Sequence, residues 1–423
     1  MSTEQPGKLK TLPQVAFGVC VAVLWAMMML ALGHVYPVAG DMVATISRWW
    51  DYIASTGFRG ISTVGSAQGA DYTSIWYFII FVFTKIGLAH HIAICLKGLS
   101  IAGTVVASVA TYFIVDTIFP KANSWRPLLA AAIVPFLPAF FLDTLKTSMP
   151  DSVYLALDLL VLLAALRRRP ILAWFLLGIA ISFKLMAIYI APFLVLIYLV
   201  NVKKMSILQK LSPLATAFGV LLISVPGCCA GLSLYQATVG TWVARSTDAG
   251  SGGGLLWGIW RILFGPSSQW MPDIWNLGVG PAAGLKAGTG FGLASIVLVL
   301  ISLIALTINA RDAEALTSCS LDLLIVSPVI FFLLLPSQHE SYGALASVMA
   351  LLALMIRWSR SDFIILLVLN FILVEMYMGA RLFQPIVYEY LLVAVAMYLF
   401  ARIFMRSELH MALRNPRLPT IER

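Results

Sequence analysis

The sequence predicts an all-α fold, a polytopic membrane bundle of about 11–13 spanning helices with interfacial helices in its first outward loop. Three observations carry that expectation. Of the 423 residues only 11% are charged, less than half of the roughly 25% that a water-facing domain carries. The mean hydropathy is +0.93. Apolar runs at 13–33, 288–309 and 363–380 match the roughly 20 residues needed to cross about 30 Å of hydrocarbon.

The elements follow in order. A first helix over 13–36 is too long, and lacks the small-residue cleavage site, for a removed signal peptide; it reads as a retained span. The stretch 39–73 is polar and aromatic, with Asp41, Trp49, Trp50, Asp51, Arg59 and Asp71. Its amphipathic part, 42–54, suits a helix lying in the membrane interface. Apolar runs follow at 74–88, 93–119 and 127–142, then a polar gap at 143–152. Helices near 153–166, 170–183, 187–201 and 208–226 lead to a second long loop over 230–287, rich in tryptophan and glycine. Helices near 288–309, 318–335, 342–357, 363–380 and 386–405 complete a single transmembrane domain over 1–423.

The net charge of +9 does not indicate nucleic acid, because the basic residues cluster in short connections at helix ends. Arg167–Arg169, Lys203 with Lys204, Arg357 with Arg360, and Arg402, Arg406 and Arg414 after the last run follow the positive-inside pattern. They place those ends in the cytoplasm and the long loops 39–73 and 230–287 outside. Counting crossings between Arg167–Arg169 and the first loop leaves one run too many, so 74–88 is expected to be re-entrant, interfacial or half of a broken helix. Five cysteines show no metal-ligand spacing and read as small core residues.

With that topology the ionisable residues of the loops gather on one side. Asp41, directly after the first helix, can serve as a general base if partly buried; a plain helix-end aspartate in water is the alternative. His339 and Glu340, in Pro336-Ser337-Gln338-His339-Glu340-Ser341-Tyr342, could hold a phosphate or form a polar turn. Lys184, a lone cation between two apolar runs, must snorkel or bind an anion, and a lipid-linked phosphate is the anion available there. Asp158 and Asp322 read as helix-to-helix hydrogen-bond formers without chemistry. The tryptophans of 230–287 read as an interfacial belt or as platforms for sugar rings.

Taken in order, Gly40-Asp41-Met42, Asp71-Tyr72, Pro150-Asp151-Ser152, Ser182-Phe183-Lys184-Leu185 and His339-Glu340-Ser341-Tyr342 resemble the motif set of the GT-C superfamily of membrane glycosyltransferases. They are most similar to bacterial relatives of the mannosyltransferase that adds the second mannose of the GPI anchor. The resemblance covers roughly 35–400. It implies a multi-helix bundle, a polyprenyl-phosphate-linked sugar as donor, and a glycan or glycolipid as acceptor. It further implies Asp41 as the catalytic base of an inverting transfer, with Asp71, Tyr72 and Asp151 shaping the site or binding the acceptor. Lys184, His339 and Tyr342 would hold the donor phosphate, and Glu340 would orient His339. The chain departs from the pattern where prolines usually follow Asp-Tyr (here Thr73-Ser74-Ile75) and where arginine usually follows His-Glu (here Ser341). Arg245 or Arg381 would then supply the missing charge.

The expected partners are the lipid-linked donor, the acceptor and membrane lipids, with no nucleic acid and no certain cofactor. A divalent ion could sit near the phosphate, although no ligand set marks one. The expected location is a bacterial cytoplasmic membrane, with the site facing the periplasm or exterior. A transporter or flippase for lipid-linked sugars, a non-catalytic subunit of an export machine, and a polymerase or ligase of lipid-linked glycans are the competing readings.

Overall fold

The computed structural model describes residues 12–35, 46–69, 72–119, 125–147, 151–240, Ile262, 287–335, 343–378 and 382–409. Among them the secondary structure is helical, with no strand. The helices are α1 Leu12–Val35, α2 Ser47–Thr56, α3 Gly60–Gln68, α4 Ser74–Phe83, α5 Ile92–Ile118, α6 Arg126–Ile133, α7 Pro138–Leu142, α8 Asp151–Leu166 and α9 Pro170–Phe183. They continue as α10 Ala191–Asn201, α11 Ile207–Lys210, α12 Ala215–Cys229, α13 Ala287–Ile308, α14 Ala313–Leu334, α15 Ala344–Arg357, α16 Arg360–Met378 and α17 Pro385–Met405.

Polarity runs opposite to that of a soluble protein. Ser100, Thr104, Thr111, Ser152, Asp158, Asp322, Ser327 and Asp362 are buried, while Val19 and Met27 of α1, Val105 and Val109 of α5, Phe218 of α12, Leu298 of α13 and Ile364 of α16 are exposed. Apolar side chains scattered over the outside of so many helices have only lipid to cover them. Among the described residues six helices are long and apolar enough to cross a membrane, a bent pair makes a seventh, and further apolar helices are shorter. The chain is a membrane protein with an all-α bundle fold. The expected dozen apolar elements are present, but several are shorter than a full span.

The run expected at 127–142 is one of the reasons. It bends by 41° between 126–136 and 138–145. Leu137, forced by Pro138 into extended backbone (φ −62°, ψ 138°), breaks the helix.

Segment 74–88 leads away from the basic end of the bundle. At its start the Thr73 hydroxyl donates to the carbonyl of Ser182, near the end of α9. At its far end a short turn leads into α5, whose Ser100 accepts from Ser152 near the start of α8. Ser100 lies eight residues into α5, so the junction between α4 and α5 stands about 12 Å beyond the level of Ser152. Helix α4 therefore runs away from Arg167–Arg169 rather than toward them. Trp49, Trp50 and Ile53 of the amphipathic α2 and Ile61 and Val64 of α3 pack on it with Cys95 and Leu96 of α5, forming a second hydrophobic cluster apart from the main core.

The main core draws on α5 to α10 and α13 to α17, with α8, α14 and α15 contributing most of it. Helix α15 is buried over most of its circumference. Helices α9 and α12 cross at Gly178 and Gly219, where a Cβ on Gly178 would lie 2.1 Å from the Thr216 carbonyl oxygen and one on Gly219 would lie 2.3 Å from that of Phe175. Small residues let backbones approach this closely in lipid, where packing rather than water expulsion joins helices.

At the basic end, α14 to α17 are joined by charge. Asp322 of α14 accepts from Arg357 (2.7 Å) and Arg406 (2.9 Å) and lies 3.2 Å from Arg402 Nε. Asp362 accepts from Arg357 at 2.5 Å and from Arg402 at 2.9 Å. Both carboxylates are fully buried. The helix-to-helix role expected of Asp322 is thus met by arginines. The basic residues themselves need correcting: Arg402 lies inside α17 rather than after it, and Arg357 and Arg402 are mostly buried ion-pair donors as well as orientation signals. Asp158 differs from the expectation, since neither of its oxygens has a hydrogen-bond partner among the described residues.

Arg402→Met leaves two buried carboxylates each short of a donor, and should cost about 3–5 kcal/mol, with Arg402→Lys losing less. Unfolding of the detergent-solubilised protein by titrated SDS measures this; equal midpoints for wild type and Arg402→Met would show that the network adds nothing.

Candidate functional site

Helices α8 and α9 form an antiparallel pair joined at Arg167–Arg169. The 16 residues of α8 place Asp151 about 24 Å from that turn. The 14 residues of α9 raise Lys184 about 21 Å on the other arm. The two arms are nearly equal, so the two charges arrive at the same level, most of the way across the hydrocarbon from the basic end.

There they pair. Lys184 Nζ donates to Asp151 Oδ1 at 2.5 Å, with side-chain exposures of 8% and 7%. Lys184 is therefore not the lone cation the sequence suggested, because a carboxylate 33 residues earlier supplies a counterion. The ammonium also lies 5.5 Å from the ring centre of Tyr154, one turn into α8. The backbone N–H of Asp151 donates to Asp143 Oδ2 at 3.2 Å. Behind Asp151, Ser152 donates to the Ser100 carbonyl at 2.8 Å, and a Cβ on Gly103 would lie 2.6 Å from the Ser152 hydroxyl. The start of α8 is thus held tightly against α5.

The helix breaks at Lys184, which is extended (φ −153°, ψ 129°), before a 3₁₀ turn over Leu185–Ile190 leads into α10. A break in hydrocarbon frees carbonyls that must find donors. Two of them do so in the segment entering α4: Thr73 Oγ1 donates to Ser182 O at 2.5 Å and Trp76 Nε1 to Phe183 O at 2.9 Å. The backbone N–H of Tyr72 donates to the Tyr77 hydroxyl at 2.8 Å. The Tyr72 ring lies edge-on to Trp49 at 5.3 Å and to Trp76 at 6.3 Å between centres. Beyond the break, Tyr189 stacks on Phe331 of α14 at 4.3 Å and its carbonyl accepts from Ser327.

Tyr72, Asp151 and Lys184 line one cavity of about 20 Å³, together with Trp49, Trp76 and Tyr154. It admits about a single water, so a sugar phosphate would enter only if the α2–α4 layer moved. Trp49 Nε1 is buried with no hydrogen-bond partner among the described residues. Trp49, Thr73, Trp76 and Tyr154 were not read from the sequence as site residues. The only signal for Trp49 was its place in the aromatic stretch 39–73, and aromatic residues at a membrane boundary equally describe an interfacial belt.

No protein-family model and no curated protein matches this chain. Of the candidate residues, the structure brings Tyr72, Asp151 and Lys184 together. Asp41, Asp71, Arg245, His339, Glu340, Tyr342 and Arg381 lie outside the described residues. Among the described residues no group of three or more His, Cys, Asp or Glu side chains is placed to hold a metal ion.

What the arrangement can do follows from its charges. A buried ion pair is neutral overall, yet it holds a compact ammonium ready for a better anion. A phosphate reaching Lys184 would compete with Asp151 for it, and the Trp49 indole N–H offers a further donor at the same place.

Lys184→Met should destabilise the folded protein by about 3–5 kcal/mol by stranding Asp151, and Lys184→Met with Asp151→Leu should recover most of that loss. Thermal unfolding of the purified variants decides; a double variant no better than the single would mean that the pair is not coupled.

Proposed function

We propose that the chain is an inverting glycosyltransferase of GT-C type that uses a polyprenyl-phosphate sugar. It adds the sugar, with mannose the first candidate, to a cell-envelope glycolipid or exported polysaccharide at the outer face of a bacterial cytoplasmic membrane. One observation carries the reading: Tyr72, Asp151 and Lys184, far apart in sequence and each from a different motif of the set quoted above, meet at one cavity.

In this reading the acceptor hydroxyl attacks the anomeric carbon as its proton passes to Asp41. The bond from that carbon to the phosphate oxygen breaks, and polyprenyl phosphate leaves with the electron pair. The extra charge on the leaving phosphate has to be met by fixed donors, and Lys184 is the described cation placed to do so. Asp151 holds the ammonium while the site is empty and releases it to the phosphate. His339, Tyr342 and an arginine (Arg245 or Arg381) would complete the phosphate shell, and Glu340 would orient His339.

The reading is tested by sugar transfer in nanodiscs. Radiolabelled polyprenyl-phosphate sugars serve as donors and extracted envelope lipids and glycans as acceptors. Wild type should transfer label, and a folded Asp41→Asn variant should lose at least about 10²-fold, the usual weight of a general base. Lys184→Arg should keep part of the activity that Lys184→Met loses. Equal transfer by wild type and Asp41→Asn removes Asp41 from the mechanism. Lipid-linked sugar that crosses the bilayer without being consumed would replace the enzyme by a flippase.

A further inference from the structure

At the opposite end of the bundle from the Lys184–Asp151 pair lies a larger cavity, of about 240 Å³. Its walls are the ends of five helices, all at the basic face. Ile118 closes α5, Leu166 closes α8 immediately before Arg167, Asn201 closes α10 just before Lys203 and Lys204, and Ile356 stands next to Arg357 in α15. The fifth wall is the first turns of α14, from Leu316 to Leu324. Eight residues of helix separate Leu316 from Leu324, so the cavity runs about 12 Å inward, close to the depth of one hydrocarbon leaflet.

The lining is aliphatic and aromatic apart from Asn201, Thr317 and Ser320. Asn201 ends α10, and Thr317 and Ser320 lie one and two turns into α14. Asn201 donates one amide hydrogen to the Ile197 carbonyl and has a second to offer. Thr317 and Ser320 donate to their own helix, at Ala313 and Leu316. Of the cations flanking the lining residues, Arg167, Lys203 and Lys204 are exposed, while Arg357 is turned into its ion pairs with Asp322 and Asp362. Acidic residues at this end are Asp116, Asp312, Glu314, Asp322, Asp362 and Glu408. Asp322 and Asp362 are taken up by arginines, Asp312 is occupied with Arg311 and with the N–H of Ala315, and Asp116, Glu314 and Glu408 are exposed.

An apolar cavity that opens where spanning helices meet the headgroup layer is filled by the one apolar substance present there, a hydrocarbon chain. Basic residues at such an opening select anionic headgroups. We propose that this cavity is a binding site for one hydrocarbon chain of an anionic, phosphate-bearing lipid, with the headgroup among Asn201, Lys203, Lys204 and Arg167. The site faces the leaflet opposite to the candidate catalytic cavity and does not depend on the glycosyltransferase reading. Either a membrane phospholipid or a polyprenyl phosphate has the required chemistry.

The test follows the fate of one mild substitution. Ser320→Cys places a thiol in the cavity wall, and its modification by a small maleimide is measured by peptide mass spectrometry in delipidated protein. The protein is titrated with phosphatidylglycerol, with a polyprenyl phosphate, or with phosphatidylcholine of matched chain length. Protection by either anionic lipid at a concentration about tenfold below that of phosphatidylcholine is expected, and which of the two protects identifies the source. Lys203→Gln with Lys204→Gln, both exposed, should abolish that preference. Leu196→Trp, which fills the cavity, should remove protection altogether. No protection by any lipid, or equal protection by anionic and zwitterionic lipids, overturns the proposal. Should Leu196→Trp fail to fold, the Ser320→Cys and lysine variants still decide it.

Discussion

A charge in hydrocarbon must bring its counter-charge with it, and the upper half of this protein is arranged around that requirement. Lys184 interrupts α9 two-thirds of the way across the bundle. The interruption exposes carbonyls at Ser182 and Phe183, and those carbonyls draw in Thr73 and Trp76. The entry to α4 is thereby fixed, and with it the layer of α2 and α3 that packs on α4. On the other side the ammonium fixes Asp151 and hence the start of α8, which is in turn pressed against α5 at Gly103. One unpaired lysine would unsettle all of these contacts at once, which is why the cavity residues come from segments so far apart in sequence.

Much of this was legible in the amino acids. Composition gives the membrane class, because burying so few charges leaves no water-facing surface to build. The crossing problem around 74–88 was also visible, since basic loops fix sidedness and sidedness fixes parity; α4 resolves it by running away from the basic face. Lys184 stood out because an ammonium in an apolar run is energetically expensive. Its pairing with Asp151 did not stand out, although the signal was present: arms of similar length on either side of Arg167–Arg169 bring positions 151 and 184 to one level.

The arginines at the other end were harder. A basic residue at a helix end has two uses, facing the headgroups or neutralising a buried acid, and the sequence does not separate them. Arg357 and Arg402 do the second while resembling the first. Asp322 and Asp158 look alike in sequence, each a carboxylate inside an apolar helix, yet Asp322 meets three arginines and Asp158 has no hydrogen-bond partner among the described residues. Helix rotation about the long axis separates the two cases, and rotation is set by tertiary packing.

The network of Asp322, Asp362, Arg357, Arg402 and Arg406 also bears on how the protein is made. Asp322 and Asp362 lie in α14 and α16, while Arg402 and Arg406 come from the last helix and the residue just beyond it. During synthesis, α14 to α16 enter the membrane with two carboxylates and only Arg357 to share between them. Until α17 arrives, the growing chain carries excess negative charge in a place that penalises it. Asp322 and Asp362 are therefore neutralised only once α17 is in place, and α14 to α16 alone would hold an unsatisfied acid inside the membrane.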